Sequence, residues 1–204
     1  MDDGLIMSEI PGGLVAFDAL WAERPEDLMN RSVLVKDKKN GGYFYKQIYR
    51  QFKSYLRVPG FDDSTGKSYM FSGSLNTEEK FVPLPECLMK LFNHPIRKDS
   101  LYDNCVVNWY EPDEYIEKHS DCTAKLKPDS DILIINLNEP GTRPDRSLIV
   151  YGKDLDDVKS YPLLDGRTFS MPPGFQKHHK HAVAPGFYRR ISITFRRLKY
   201  VWES

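Results

Sequence analysis

The chain has 204 residues, of which 40% are apolar and 28% charged, and its 29 basic and 29 acidic side chains give a net charge of zero. This length and composition predict one soluble globular domain, and a neutral chain has no global field that would attract a polyanion. Three cysteines are too few for a disulfide framework, and no apolar stretch is long enough to cross a membrane. We therefore expect an intracellular, soluble monomer.

The first sixty residues carry short helical signals and loops, and we expect them to form a helical arm that supports the rest of the domain. Apolar residues keep roughly helical spacing at Phe17, Leu20, Trp21 and Leu28. A second helix is predicted to begin at Pro85, because proline is tolerated in a first helical turn. Its apolar residues are Leu88, Leu91 and Phe92.

From Val106 onward the pattern changes to short strands separated by turns. Five segments read as strands: 106–110, 131–137, 147–151, 167–171 and 190–198. Turn-forming Pro-Gly pairs such as Pro140-Gly141 lie between them. Several strands without intervening helices predict a mainly β fold with flanking helices, either an antiparallel sandwich or a jelly roll.

The last predicted strand has a polar face. Successive side chains of a strand point to opposite faces, so one face carries Arg190, Ser192, Thr194 and Arg196. Arginine holds carboxylates in a two-point fork, so two guanidiniums flanking two hydroxyls suit a small dianion.

A candidate metal site lies upstream of this strand. His119 and Asp121 share a face if their segment is extended, and a histidine follows about sixty residues later. Two histidines and one carboxylate on one face of an iron form the facial triad of non-haem Fe(II) oxygenases. We expect His119, Asp121 and His181 to be the ligands, with His178 and His179 as alternatives for the distal histidine.

Four segments of the chain resemble the AlkB-type dioxygenases, which are Fe(II)/2-oxoglutarate enzymes that demethylate nucleic acids. The segments are Asn108-Trp109-Tyr110, His119-Ser120-Asp121, Gln176 with His181-Ala182-Val183, and Arg190 to Arg196. Residues 69–73 also resemble the aromatic segment that lines the base pocket of that family. The resemblance spans 69–198 and implies a double-stranded β-helix (jelly roll) core within a single dioxygenase domain, 1–204, whereas residues 1–60 match nothing in it.

The resemblance also implies roles for individual residues. The metal ligands would be His119, Asp121 and His181, the last because the family places its distal ligand before x-Val and a proline. The residues implied to bind 2-oxoglutarate are Asn108, Tyr110, Arg190, Ser192 and Arg196. The residues implied to contact the substrate are Tyr69, Phe71, Ser72 and Thr123.

The implied reaction is oxidative demethylation of N-alkylated bases in DNA or RNA, with single strands preferred. Fe(II) would be the cofactor, 2-oxoglutarate would be decarboxylated to succinate in the reaction with O2, and formaldehyde would be released. Thr123 stands where well-studied members carry an acid, which predicts looser selectivity between 1-methyladenine or 3-methylcytosine and 3-methylthymine. Residues 174–181 are similar to AlkB-like domains of plant RNA virus replicases, which favours RNA or single strands, although the sequence does not choose between DNA and RNA.

Two other functions fit the same pattern. One is a 2-oxoglutarate-dependent hydroxylase acting on a protein or a small molecule, since a fold does not fix its substrate. The other is a binding module that kept the jelly roll and lost activity. The complete triad and the two arginines disfavour the binding module.

Overall fold

The computed structural model describes residues 3–25, 32–37, 39–56, 85–92, 102–152 and 157–199. The helices in this part are α1 (Phe17–Ala22), α2 (Glu86–Phe92) and α3 (Phe175–His178). Its first six strands are β1 (Ile6–Glu9), β2 (Ser32–Lys36), β3 (Tyr43–Gln47), β4 (Gln51–Leu56), β5 (Asn104–Tyr110) and β6 (Ile116–His119). Its other strands are β7 (Ile132–Asn138), β8 (Ser147–Tyr151), β9 (Val158–Pro162), β10 (Arg167–Met171), β11 (Lys180–Val183) and β12 (Arg190–Arg196).

Two antiparallel sheets form the body of the protein. The larger sheet has the order β1-β10-β7-β12-β5-β4, and the smaller has the order β6-β11-β8-β9. Strands β2 and β3 pair with each other as a separate hairpin. Side chains of both sheets meet in one apolar cluster, for example Ile134 and Phe169 with Leu148 and Val150. The architecture is a jelly roll, mainly β with helices on its outer side, as the sequence predicts.

A second apolar cluster lies on the outer face of the larger sheet. Leu20 and Trp21 of α1 and Leu88 of α2 pack there against Trp109 of β5. The indole Nε1–H of Trp109 donates to the carbonyl of Leu20 at 2.9 Å, which satisfies its polar atom inside the cluster. Full burial of a large apolar side chain contributes about 1.5–3 kcal/mol. The helices α1 and α2 therefore cover the outer face of the larger sheet, and its inner face points towards the smaller sheet.

Strand β12 lies at the centre of the larger sheet, between β7 and β5. Its apolar residues Ile191, Ile193 and Phe195 belong to the outer cluster, so its polar residues face the space between the two sheets. All seven residues are buried. The predicted polar face is confirmed, and it points into the protein interior rather than into solvent.

The N-terminal part differs from the helical arm that its sequence predicts. Within the described residues of the first sixty there is one helix of six residues, and four strands accompany it. Strand β1 forms an edge of the larger sheet and β4 pairs with β5 at the other edge. These strands are short, and β1 and β3 are exposed at every position, so no alternation of burial marks them in the sequence.

The other elements follow the predictions closely. The five predicted strands correspond to β5, β7, β8, β10 and β12, and the helix predicted at Pro85 corresponds to α2. The sequence does not predict strands β6, β9 and β11, which are only four or five residues long. The longest helix in the described part has seven residues, and none could span a membrane.

A buried arginine fastens the loops at one end of the jelly roll. The guanidinium of Arg146 is almost fully buried and donates to five backbone carbonyls, those of Glu111, Glu114, Ala184, Gly186 and Tyr188. These carbonyls belong to the segments that follow β5 and precede β12. Arg146 thus holds together the segment that follows β5 and the segment that precedes β12, at the end of these two strands where Tyr110 pairs with Arg190.

Arg146→Met should lower the free energy of unfolding by about 3 kcal/mol or more, because several buried carbonyls lose their donor. Urea denaturation followed by circular dichroism would measure it. Arg143→Met is the matched control, since Arg143 is exposed in the same loop and its loss should change stability by about 0.5 kcal/mol or less. Equal effects of the two substitutions would contradict the role of Arg146.

Candidate metal centre and cosubstrate cavity

A cavity of about 300 Å³ lies between the two sheets. Its walls are the polar face of β12 and strand β5 on one side and β6 and β11 on the other, and the segment from Lys46 to Arg50 borders it. Every residue predicted to bind the metal or 2-oxoglutarate lines this cavity: Asn108, Tyr110, His119, Asp121, His181, Arg190, Ser192 and Arg196.

Three of these side chains form a cluster that could hold a metal ion. The ligand atoms of His119, Asp121 and His181 all lie within 4.8 Å of one another. His119 Nε2 is 3.4 Å and His181 Nε2 is 3.9 Å from Asp121 Oδ1. The antiparallel pairing of β6 and β11 places His119 directly opposite His181, and the chain turns after β6 to bring Asp121 between them.

The hydrogen bond made by His119 prepares its other nitrogen to bind a metal. His119 Nδ1 lies 2.7 Å from the carbonyl oxygen of Glu117. Because a carbonyl only accepts, Nδ1 carries the proton and Nε2 keeps a free lone pair towards the cluster. The ring of His181 is buried with its Nε2 towards Asp121.

Of the three histidines in the segment 178–181, His181 is the one that joins the cluster. The ring of His179 stacks on Phe175 instead, with centroids 4.7 Å apart, and His178 is exposed on α3. The geometry therefore agrees with the choice of His181 over His178 and His179.

Arg196 controls the charge state of Asp121. Its Nη2 donates to Asp121 Oδ2 at 2.6 Å, which leaves Oδ1 for the two histidines. Burial alone would raise the pKa of Asp121, but Arg196 and the two histidines hold that pKa well below its ordinary value. Burial, with the charge of His119, lowers the pKa of His181 to about 3. Both side chains therefore have their metal-binding forms at neutral pH.

The other end of the cavity carries the second arginine of β12. Arg190 is 2% exposed, its Nε donates to Asn136 Oδ1 at 2.5 Å, and its guanidinium lies 4.7 Å from the ring centre of Tyr110. Its Nη1 is buried and has no hydrogen-bond partner among the residues that the structure describes. An arginine held this way, with a donor still to satisfy, fits a carboxylate ligand.

The pairing of β5 with β12 gathers the other predicted cosubstrate residues. Arg190 is the register partner of Tyr110, and Ser192 is the partner of Asn108. The four side chains therefore form one patch on the inner face of the larger sheet, and they line the same cavity as the metal cluster.

The sequence did not single out Arg50, a third buried arginine of the cavity. Arg50 directly precedes β4 and is 9% exposed. Its Nε donates to Asn108 Oδ1 at 2.7 Å. Burial lowers its pKa, although Tyr110 and Asp121 act in the opposite direction. No local motif marks this residue, because only the pairing of β4 with β5 brings it to the site.

Gln176 is a second residue whose role becomes visible in the structure. Its Oε1 accepts the backbone N–H of Asp121 at 2.8 Å, and its Nε2 lies 3.2 Å from the sulfur of Met171. Nearby, the Ser120 hydroxyl donates to the carbonyl of His179 at 2.9 Å. The loop that carries Asp121 is therefore fixed to the segment around α3.

Gln176→Leu should weaken metal binding by about 10- to 100-fold, because groups that orient a ligand contribute on that scale. Calorimetric titration with Mn(II) would measure the affinity. Lys177→Leu is the control, since Lys177 is the exposed neighbour of Gln176 on the same helix. The same affinity in both variants would contradict a role of Gln176 in holding Asp121.

The predicted substrate residues are not gathered at the cavity in the same way. Thr123 is exposed and is not part of the cavity wall. Tyr69, Phe71 and Ser72 lie outside the described residues. Their contact with a substrate stays a prediction.

Aromatic side chains surround the mouth of the cavity. Tyr49 stacks on Tyr115 with ring centroids 4.6 Å apart, and Lys46 forms a salt bridge with Glu117. The two contacts connect the end of β3 and the residues after it to β6, which carries His119, and to the residue before β6. The hairpin itself exposes Tyr43, Phe44 and Tyr45, each by half or more of its surface.

The chain is similar in sequence to parts of plant virus replication proteins, although no known family model matches it. It is 24% identical over 140 residues to an RNA-directed RNA polymerase of Lolium latent virus, which covers 69% of this chain. It is 26% identical over 159 residues to an RNA replication protein of Grapevine virus A, which covers 78% of it. A 55-residue stretch, 26% of the chain, is 44% identical to an RNA replication polyprotein of Blueberry scorch virus. The chain spans 8%, 9% and 3% of these three proteins.

The fold is similar to that of a solved oxidoreductase of the 2OG-Fe(II) oxygenase family from Burkholderia pseudomallei. The two structures have a TM-score of 0.50 with 15% sequence identity, and the match covers 95% of this chain and 84% of the other. The two proteins therefore share the jelly-roll fold. The cavity between its sheets carries a two-histidine, one-carboxylate cluster that could hold a metal.

Proposed function

We propose that this chain is an AlkB-type, Fe(II)/2-oxoglutarate-dependent dioxygenase that removes N-alkyl groups from bases of single-stranded nucleic acid. One observation carries the enzyme class: a facial set of His119, Asp121 and His181 faces a buried arginine across a single cavity. Nitrogen and carboxylate donors in this number, with an open side, are those of non-haem Fe(II) oxygenases.

The residues of the cavity have separate tasks in this proposal. His119, Asp121 and His181 would hold Fe(II), and Arg196 keeps Asp121 ionised and occupies its second oxygen. Arg190 would bind the distal carboxylate of 2-oxoglutarate. When bound, Fe(II) and 2-oxoglutarate would supply the oxidation: with O2, 2-oxoglutarate would be decarboxylated to succinate and CO2, and the second oxygen atom would hydroxylate the N-methyl group, which would then be lost as formaldehyde.

The rest of the cavity limits access of water. Phe52, Ile134, Leu148 and Phe169 line it together with the polar groups. A cavity with mixed apolar and charged walls holds a small cosubstrate and strengthens the ion pairs that bind it, because these walls exclude bulk solvent.

Two observations support nucleic acid as the substrate. The relatives in sequence are viral proteins named for RNA replication, which favours RNA over DNA. Strand β3 exposes Tyr43, Phe44 and Tyr45, and its last two residues, Lys46 and Gln47, line the cavity. Aromatic rings stack on unpaired bases with about 1–3 kcal/mol per base. An N-methyl group on a base edge is out of reach inside a duplex, so single strands are the expected substrate.

Succinate and formaldehyde release on methylated oligonucleotides would test the proposal. Single-stranded RNA and DNA carrying 1-methyladenine, 3-methylcytosine or 3-methylthymine would be compared with the unmethylated strands and with peptides. Stoichiometric formaldehyde and succinate from the methylated strands alone is the expected result. Hydroxylation of peptides, with no turnover of any methylated strand, would contradict the proposal and indicate a protein hydroxylase instead.

A further inference from the structure

The side-chain amide of Asn108 has one end occupied and one end free. Its Oδ1 accepts from Arg50 Nε at 2.7 Å, and its Nδ2 has no hydrogen-bond partner among the described residues. A guanidinium can only donate, so the amide oxygen must be the end that faces Arg50. The NH2 end is therefore left to face the cavity, which both residues line.

The free end is the one that a carboxylate needs. A carboxylate only accepts hydrogen bonds, so it is attracted by Nδ2 and repelled by Oδ1. Asn108 lies beside Tyr110 on β5, and both face the arginine strand through the pairs Asn108–Ser192 and Tyr110–Arg190. In the opposite orientation, the oxygen of the amide would face a carboxylate bound in this patch, and the two oxygens would repel each other.

We propose that Arg50 is a positioning residue for cosubstrate binding, which holds the Asn108 amide with its NH2 group towards a carboxylate of 2-oxoglutarate. The proposal rests on the function proposed above and adds a role for Arg50, which directly precedes β4. Arg50 acts through Asn108, and its own terminal nitrogens do not contact the cosubstrate.

A double-mutant cycle separates this role from direct contact. The affinity of the Mn(II)-loaded protein for 2-oxoglutarate would be measured by calorimetry in the wild type, Arg50→Met, Asn108→Ala and the double variant. Arg50→Met should weaken binding by about tenfold, which is the effect of one hydrogen bond to a charged group. The double variant should bind as Asn108→Ala does, because residues that act through one another are not additive.

Lys53→Met provides the matched control. Lys53 is the basic residue of β4, three positions after Arg50, and its ammonium lies over the ring of Tyr55 instead of in the cavity wall. Its loss removes the same charge and should leave the affinity for 2-oxoglutarate unchanged. A drop in both variants would mean that charge alone matters, and would overturn the positioning role.

Further outcomes decide between the two proposals. Wild-type affinity in Arg50→Met, or a double variant that binds clearly more weakly than Asn108→Ala, would overturn the positioning role and leave the enzyme class intact. No binding of 2-oxoglutarate by the wild type would overturn the proposed function, and this inference with it.

A measurement on the wild-type side chains covers the case in which Arg50→Met does not fold. The side-chain NH2 signal of Asn108, assigned by its loss in Asn108→Ala, would be followed by NMR in the Zn(II)-loaded protein. The signal should shift when 2-oxoglutarate is added, because Nδ2 becomes a donor to its carboxylate. A signal that stays in place while 2-oxoglutarate binds would overturn the proposal.

Discussion

His181→Ala should abolish both metal binding and turnover while the fold is retained. A site with three protein ligands that loses one loses most of its affinity, whereas loss of a surface side chain changes little. His181 is buried, so its removal costs stability, by about 1–3 kcal/mol. Calorimetric titration with Mn(II), succinate release and a thermal melt followed by circular dichroism would measure the three quantities.

The neighbouring histidines supply the controls for this substitution. His179→Ala and His178→Ala remove rings from the same segment, one stacked on Phe175 and one exposed. Both variants should bind Mn(II) with nearly wild-type affinity. If His179→Ala loses the metal and His181→Ala retains it, the metal ligand is His179 and not His181.

Asp121→Ala should also abolish metal binding, but it tests the fold at the same time. Its carboxylate is paired with Arg196 at 2.6 Å in a buried setting. Removing one partner of a buried ion pair costs about 3–5 kcal/mol. Asp121→Asn is the better variant, because its neutral amide has the same size and its oxygen can still accept the hydrogen bond from Arg196.

The sequence predicts much of the site because its residues follow the two-residue period of strands. Arg190 and Arg196 alternate with three apolar residues, and this alternation alone places both arginines on one face. The structure turns that face inward because β12 is central in its sheet and is covered by helices on the other side. Likewise, His119 and Asp121 are two residues apart, so the local chain already brings them to one side.

The parts that the sequence does not predict depend on contacts between distant segments. Arg50 reaches Asn108 from 58 residues away, and Gln176 reaches Asp121 from 55 residues away. Neither spacing has a local signal, since the first contact needs the pairing of β4 with β5 and the second needs α3 to pack beside the segment after β6. The sequence does not predict the edge strand β1 either, because an exposed strand of four residues shows no alternation of burial.

Arg190→Leu should raise the Michaelis constant for 2-oxoglutarate by about 10- to 100-fold, with a smaller effect on turnover at saturation. The distal carboxylate of the bound dianion would lie in a buried site without its cationic partner, and a hydrogen bond to a charged group contributes about 1.5–3 kcal/mol. Leucine fills part of the same volume, so the loss reports on charge and hydrogen bonding rather than on an empty space. The same ratio should appear in the dissociation constant of 2-oxoglutarate from the Mn(II)-loaded protein.

Two comparisons define what this result means. Tyr110→Phe removes one neutral hydroxyl from the same patch and should cost less, about 0.5–1.5 kcal/mol. Arg189→Leu removes the adjacent arginine, which pairs with Glu139 at 2.6 Å outside the cavity wall, and should leave the Michaelis constant unchanged. If Arg190→Leu and Arg189→Leu both have the wild-type constant, the polar face of β12 binds something other than the cosubstrate. The buried, incompletely hydrogen-bonded guanidinium of Arg190 would then need a different anion.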